Sequence, residues 1–198
     1  MSKLIIKDSK SLFFTADTHF GHKNIIKYCN RPFSSTDEMT SAIISKWNEF
    51  VKPLDTVIHL GDFSFLKPEA SRHIMNQLNG HIILVRGNHD SDNIIDTCGF
   101  SDIVDFLELK VNDGGMHQPV SCMHYPMAVW PHSHHGAWHL HGHSHGSYRV
   151  PTGKLVDVGW DVWGKPVSYQ EIKGYMAKRP LLEVDHHSIS EYRTNASN

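Results

Sequence analysis

SLFFTADTH, residues 11–19, decides the fold class. Leu12, Phe13, Phe14 and Ala16 form a short apolar, β-prone run, which predicts a buried strand. The run stops at Asp17-Thr18-His19, so the polar residues fall on the loop leaving the strand's C-terminal end. The same design recurs twice. Thr56-Val-Ile-His-Leu60 runs into Gly61-Asp62, and His81-Ile-Ile-Leu-Val85 runs into Arg86-Gly-Asn-His-Asp90. Three apolar strands that each deliver polar groups at their C-terminal ends predict an α/β sheet with a ligand site along that edge.

Helices are expected between them. Ser35 and Glu38 have the spacing of a capping box, and Met39, Ile43, Ile44, Trp47 and Val51 follow at helical intervals until Pro53. Pro68 opens a second helix expected to end near Gly80. After Ile103 the texture turns β-rich, with FLELKV, PVSCMH, AWHLHG and KLVDVG reading as strands and Asp113-Gly114-Gly115 as a turn between the first two. Ser168 and Glu171 form a further capping box before a helix to about Lys178, and the tail from Pro180 shows no periodicity. No repeat interrupts the 198 residues, a length that reads as one domain, residues 1–198, with a peripheral tail over 180–198.

Composition narrows the function classes. A net charge of −2 sets up no global field toward nucleic acid or an anionic membrane. No apolar run approaches the roughly 20 residues that cross a bilayer, and the N-terminus has no secretory h-region, so the expected location is the cytoplasm. Cys29, Cys98 and Cys122 are odd in number and form no C-x-x-C pair, which argues against a disulfide framework and predicts reduced thiols. Histidine is the outlier at 17 residues, and its neutral imidazole binds transition metals well.

The polar strand ends, in order, are Asp17-x-His19, Gly61-Asp62, Gly87-Asn88-His89-Asp90, His124 and Gly142-His143-Ser144-His145. Carboxylates, imidazoles and one amide carbonyl are mixed nitrogen and oxygen donors, suited to manganese, iron or zinc. Seven ligands exceed the four of a tetrahedral zinc and suit two adjacent metals sharing a carboxylate, a common phosphoryl-transfer device. Gly61, Gly87 and Gly142 allow tight turns beside the ligands.

In these motifs the chain resembles the calcineurin-like metallophosphoesterase superfamily, whose pattern D-x-H, G-D, G-N-H-[DE], H and G-H-x-H is met in order over roughly residues 11–165. The likeness is to its small bacterial and phage phosphoesterases. It implies an α/β (α+β) four-layer αββα sandwich, two mixed sheets flanked by helices, with the metal site at the C-terminal strand ends. It implies one metal on Asp17, His19, Asp62 and His145 and another on Asp62, Asn88, His124 and His143, with Asp62 as the bridge. It also implies two divalent transition metals, Mn²⁺ first, with iron, zinc or nickel as alternatives, and attack by a metal-bridging hydroxide. His89 matches the family histidine that contacts the phosphoryl group and protonates the leaving oxygen. Gly61-Asp62 runs on as Phe63-Ser64-Phe65 without the Asp-Arg of the Ser/Thr protein phosphatases, which argues against that subclass.

The expected activity is therefore hydrolysis of a small, nucleotide-like phosphodiester or phosphomonoester. A nuclease and a non-catalytic scaffold are the alternatives, the first disfavoured by the absence of a Lys/Arg track. His22, Asn24, Arg31 and Trp130 are the candidate substrate contacts. Arg31 and Arg86 also read as ordinary ion-pairing residues, and Trp138, Trp160 and Trp163 as core aromatics that could otherwise stack a base. His59, His73, His81, His117, His186 and His187 read as structural, and Pro131–His135 as a solvated loop.

Overall fold

A computed structural model of the chain describes residues 2–182. His186, His187 and most of the tail from Pro180 lie outside the described residues. The order is β1 (Ser2–Ile6), β2 (Leu12–Thr15), α1 (Lys23–Tyr28), α2 (Thr36–Phe50), β3 (Thr56–His59), α3 (Pro68–Met75), β4 (His81–Val85), α4 (Asp92–Cys98) and β5 (Asp102–Val104). A β-rich half follows with β6 (Leu107–Asp113), β7 (Met116–Cys122), β8 (Trp138–His141), β9 (Leu155–Asp157), α5 (Trp160–Trp163), β10 (Val167–Ser168) and α6 (Tyr169–Ala177).

These strands make two five-stranded sheets, ordered β10-β2-β3-β4-β5 and β1-β6-β7-β8-β9. Both are mixed: β2 through β5 run parallel with β10 antiparallel at one edge, while the antiparallel β6–β7 hairpin interrupts an otherwise parallel second sheet. That hairpin turns at Gly114 and Gly115, both at positive φ, as its Asp-Gly-Gly signature requires. The α/β class with two mixed sheets is as expected.

Alternation along the strands explains the layering. Leu12, Phe14, Ile58 and Leu60 face Leu107, Leu109, Val120, Cys122 and Leu140 in one apolar cluster shared by both sheets, which Tyr169, Ile172 and Met176 of α6 join. Val57 and Ile82 face the other way, onto Met39, Ile43 and Trp47 of α2, Ile74 of α3 and Ile94 of α4. Trp47 is fully buried and spends its indole N–H on the Asn79 carbonyl, so burial leaves no orphan donor. On the outer face of the second sheet, Leu155 packs with Trp130, Ala137 and Leu182, contributed by loops and the segment after α6. Among the described residues no helix layer covers that face, so the four-layer αββα arrangement is seen on the α1–α4 side alone.

Both capping boxes start helices. Ser35 Oγ accepts from the Glu38 N–H, but the Glu38 carboxylate turns to Ser34, while Ser168 and Glu171 close the full reciprocal box. The helix from Pro68 stops at Met75 and the chain turns on to Gly80, earlier than its pattern suggested. Among the described residues no helix is long and apolar enough to cross a membrane.

Candidate metal centre

Parallel pairing carries the C-terminal ends of β2, β3 and β4 to one edge, and backbone hydrogen bonds lace the loops beyond it: Asp17 N–H to Gly61 O at 2.9 Å and His19 N–H to Asp62 O at 3.0 Å. A bridge from Ala16 to Gly159 brings the end of the second sheet alongside. Gly142 sits where a Cβ would meet Ala16 Cβ at 2.5 Å and Asp17 Oδ2 at 2.7 Å, so only glycine lets this loop close on the first. Among the described residues the non-glycine residues at positive φ are Asp17, His19, Asn30, Asp62, His132, His143 and His145. Five of these are expected ligands. Left-handed backbone costs roughly 1–2 kcal/mol per residue, and such strain is held where a site needs it.

The loops bring all seven expected ligands to that edge, tied to one another by short contacts. Asp17, Asp62, His19 and His124 are almost fully buried, His145 is half-buried, and Asn88 and His143 stand at the surface. Ligand atoms of Asp17, His19 and His145 lie within 4.8 Å of one another, as do those of Asp17, Asp62 and His124. Asp62 presents Oδ2 to His19 Nε2 at 3.7 Å and Oδ1 to His124 Nε2 at 3.6 Å, one oxygen to each group. The Asn88 amide oxygen stands 3.0 Å from both His124 Nε2 and His143 Nδ1.

The donor chemistry fits divalent cations. His124 Nδ1 must donate to the Leu60 carbonyl at 2.7 Å, which leaves Nε2 a lone pair aimed at Asp62 and Asn88. His145 Nδ1 likewise donates to Asp161 at 2.7 Å and frees its Nε2. His19 is buried with neither ring nitrogen paired, a cost of about 1–3 kcal/mol that a bound cation would relieve. Burial, then His145 and Arg31, push His19 down to about 2, so it is the neutral imidazole a metal needs. Burial, then the Asp157 and Asp62 carboxylates, raise Asp17 well above the usual carboxylate range. Crowded buried carboxylates of this kind call for positive charge. Cys29 also lies within 4.8 Å of His145 and Asp161, but burial lifts its thiol to about 11 and keeps it protonated.

Three carboxylates hold the ligand loops. Asp90 accepts from the backbone N–H of Asp62, Phe63 and Gly87 at 2.8–2.9 Å. Asp157 accepts from Ser144 Oγ, Gly146 N–H and Gly159 N–H. Asp161 takes a bidentate pair from Arg31, at 2.7 and 2.8 Å, together with His145. Asp157 and Asp161 were not singled out in the sequence. Asp157 closes β9, where the strand-end logic applied to the other strands would have flagged it; nothing local marks Asp161.

Of the other expected residues, His89 lies at the rim, its N–H on Asp62 Oδ1 and its ring 6.1 Å from that of His19. His22 stacks on Phe65 at 4.0 Å and sits 5.4 Å from His19. Asn24 is exposed on α1 with no side-chain partner among the described residues. Two substrate contacts are corrected. Arg31 is buried, and its guanidinium is consumed by Asp161 and the Asp17 and Thr18 carbonyls, so it braces the centre from behind. Trp130 is buried with Ala137 and Leu155, its N–H on the Ala137 carbonyl, so it presents no face to a base. Arg86 makes the ordinary surface pair, with Asp92. The exposed rim aromatics are instead Phe65, beside His22 and His89, and Tyr125, whose ring lies 4.6 Å from that of His143.

No protein-family model matches the chain. It is 35% identical over 183 residues to a protein of the archaeon Methanocaldococcus jannaschii, "Uncharacterized protein MJ1445", an alignment spanning 88% of this chain and 96% of that one. Its fold is similar to that of a solved protein of unknown function, AQ665 from Aquifex aeolicus, with a TM-score of 0.63 and 27% identity over 83% of this chain and 98% of the other.

Proposed function

The chain belongs to the family of the Methanocaldococcus jannaschii protein, and within it we propose that this member is a dinuclear metal-dependent phosphoesterase of the calcineurin-like type, hydrolysing a small, nucleotide-like phosphodiester or phosphomonoester. One observation carries the reading: five motifs far apart in sequence meet at one sheet edge, with Asp62 presenting one carboxylate oxygen to each half of the ligand set. Asp17, His19, Asp62 and His145 would hold one ion, and Asp62, Asn88, His124 and His143 the other, with Mn²⁺ the first choice. Two such ions supply Lewis acidity toward the phosphoryl oxygens and lower the pKa of a bound water.

The chain's own residues do the rest. Asp90 and Asp157 hold the ligand loops through backbone N–H groups, so the donors are positioned before substrate arrives. Arg31 and Asp161 hold His145 in the tautomer that leaves Nε2 free. His89, exposed at the rim, would donate a proton to the departing ester oxygen. The three free thiols support a reducing compartment, and the cytoplasm is the proposed location.

The test is hydrolysis of bis-p-nitrophenyl phosphate and p-nitrophenyl phosphate by EDTA-treated protein with Mn²⁺ restored. Wild type is expected to turn over at least one of them and D62A neither. No metal-dependent hydrolysis across a broad phosphoester panel sinks the proposal.

A further inference from the structure

A cavity of about 590 Å³ opens beside the ligand cluster, within the range of about 300–1,000 Å³ typical of small-molecule sites. His145 and Asp161 line it, so one metal ligand forms a wall common to the cavity and the centre. Three of the large apolar side chains that remain exposed on this protein, Tyr148, Val162 and Tyr175, gather around it, and Trp163 lies edge-on to Tyr175 at 6.3 Å. Apolar surface collected in a concavity marks a binding site more strongly than the same residues scattered over the surface.

The polar groups define the complement. Asp161 is matched by Arg31, and Asp157 already accepts three hydrogen bonds, so neither presents an unsatisfied carboxylate. Arg179 donates to the carbonyls of Gly153 and Val150 and pins the loop that carries Arg149. Arg149 itself is exposed and uses only Nε, on the Gly146 carbonyl at 3.3 Å; among the described residues its terminal nitrogens take no partner. Trp163 and Tyr175 form an aromatic corner at 70°, with the Arg179 guanidinium 5.9 Å from the Tyr175 ring centre, and this corner with the available Arg149 guanidinium suits a ligand that is planar at one end and anionic at the other.

The geometry points to this cavity as the site of a nucleoside monophosphate group, its base against Trp163 and Tyr175 and its phosphate oxygens on Arg149. As a subsite for substrate the assignment rests on the phosphoesterase reading; as a binding site it does not.

Isothermal titration of AMP into the full chain in EDTA tests it without the metals, with adenosine and inorganic phosphate as controls. AMP is expected to bind more tightly than either control, and R149A and Y175A each to weaken it by about tenfold. Urea midpoints of both variants matching wild type would show that any loss of AMP binding is not a loss of folding. AMP binding no tighter than phosphate, or unchanged in both variants, overturns the assignment. Intact AMP binding in a protein that hydrolyses nothing upholds the site and removes only its role as a substrate subsite.

Discussion

Replacing Asp161 with Asn tests the scaffold behind the proposed metal centre in two independent ways. The Asp161 carboxylate is nearly buried and receives Arg31 Nε and one terminal nitrogen at 2.7 and 2.8 Å and His145 Nδ1 at 2.7 Å. Asn keeps the shape and one acceptor but loses the charge and the bidentate fork, leaving the Arg31 guanidinium buried and unmatched. Removing one partner of such a pair costs about 3–5 kcal/mol. The retained acceptor argues for the lower end, about 3 kcal/mol, or a melting temperature roughly 6–12 °C lower for a domain of this size. Urea denaturation in EDTA measures this with no metal involved. The double variant D161N/R31M, which leaves no unpaired charge, is expected to recover part of the loss, with a coupling of about 0.5–3 kcal/mol. In the second arm His145 has lost its anchor, so one of two Mn²⁺ ions should bind about 10–100-fold more weakly. A loss below about 1 kcal/mol in EDTA, with no coupling to Arg31, would falsify the buried-pair argument; wild-type affinity at both metal sites refutes the positioning of His145.

Three further outcomes follow from the same structure. Burial holds His59 and His139 neutral, each pushed down to about 3 from an ordinary 6.5. The unfolded chain therefore takes up these protons below about pH 6.5 while the folded chain waits until about 3. Each accordingly removes about 1.4 kcal/mol of stability per pH unit across that window as pH falls, and urea midpoints at pH 7, 6 and 5 should show a shallower fall in H139Q than in wild type. In G142A the new methyl meets Ala16 and Asp17, so a stability loss of about 1–3 kcal/mol should come with weakened Mn²⁺ binding in a calorimetric titration; unaltered metal affinity speaks against the close approach of the two loops. H89A is expected to lower kcat by about 10²–10⁴-fold while metal stoichiometry stays at wild type, and the deficit should shrink for esters with acidic leaving groups; an equal deficit for all leaving groups rules out proton donation.

The contrast between what was legible in the chain and what was not has a physical basis. Asp17, His19, Asp62, Asn88, His124, His143 and His145 could be picked out because each stands at the end of an apolar run, and a strand that stops at a polar residue records locally where that residue will lie. The capping boxes at Ser35 and Ser168 were legible for the same reason, since donor and acceptor are three residues apart. β1 and β5 passed unnoticed because Ser2–Ile6 and Asp102–Val104 sit at sheet edges, half-covered, with weak patterns. The roles of Arg31 and Asp161 depend on a contact across 130 positions, which no local pattern encodes. Trp130 and Trp163 look alike as residue types. Packing decided that one closes the outer face of a sheet while the other lines a cavity beside the proposed metal centre. The sequence by itself determined the donor set and the edge that carries it, because strand period and motif are local; only the tertiary structure decided which groups brace that set and where a ligand has room, because both depend on distant segments sharing space.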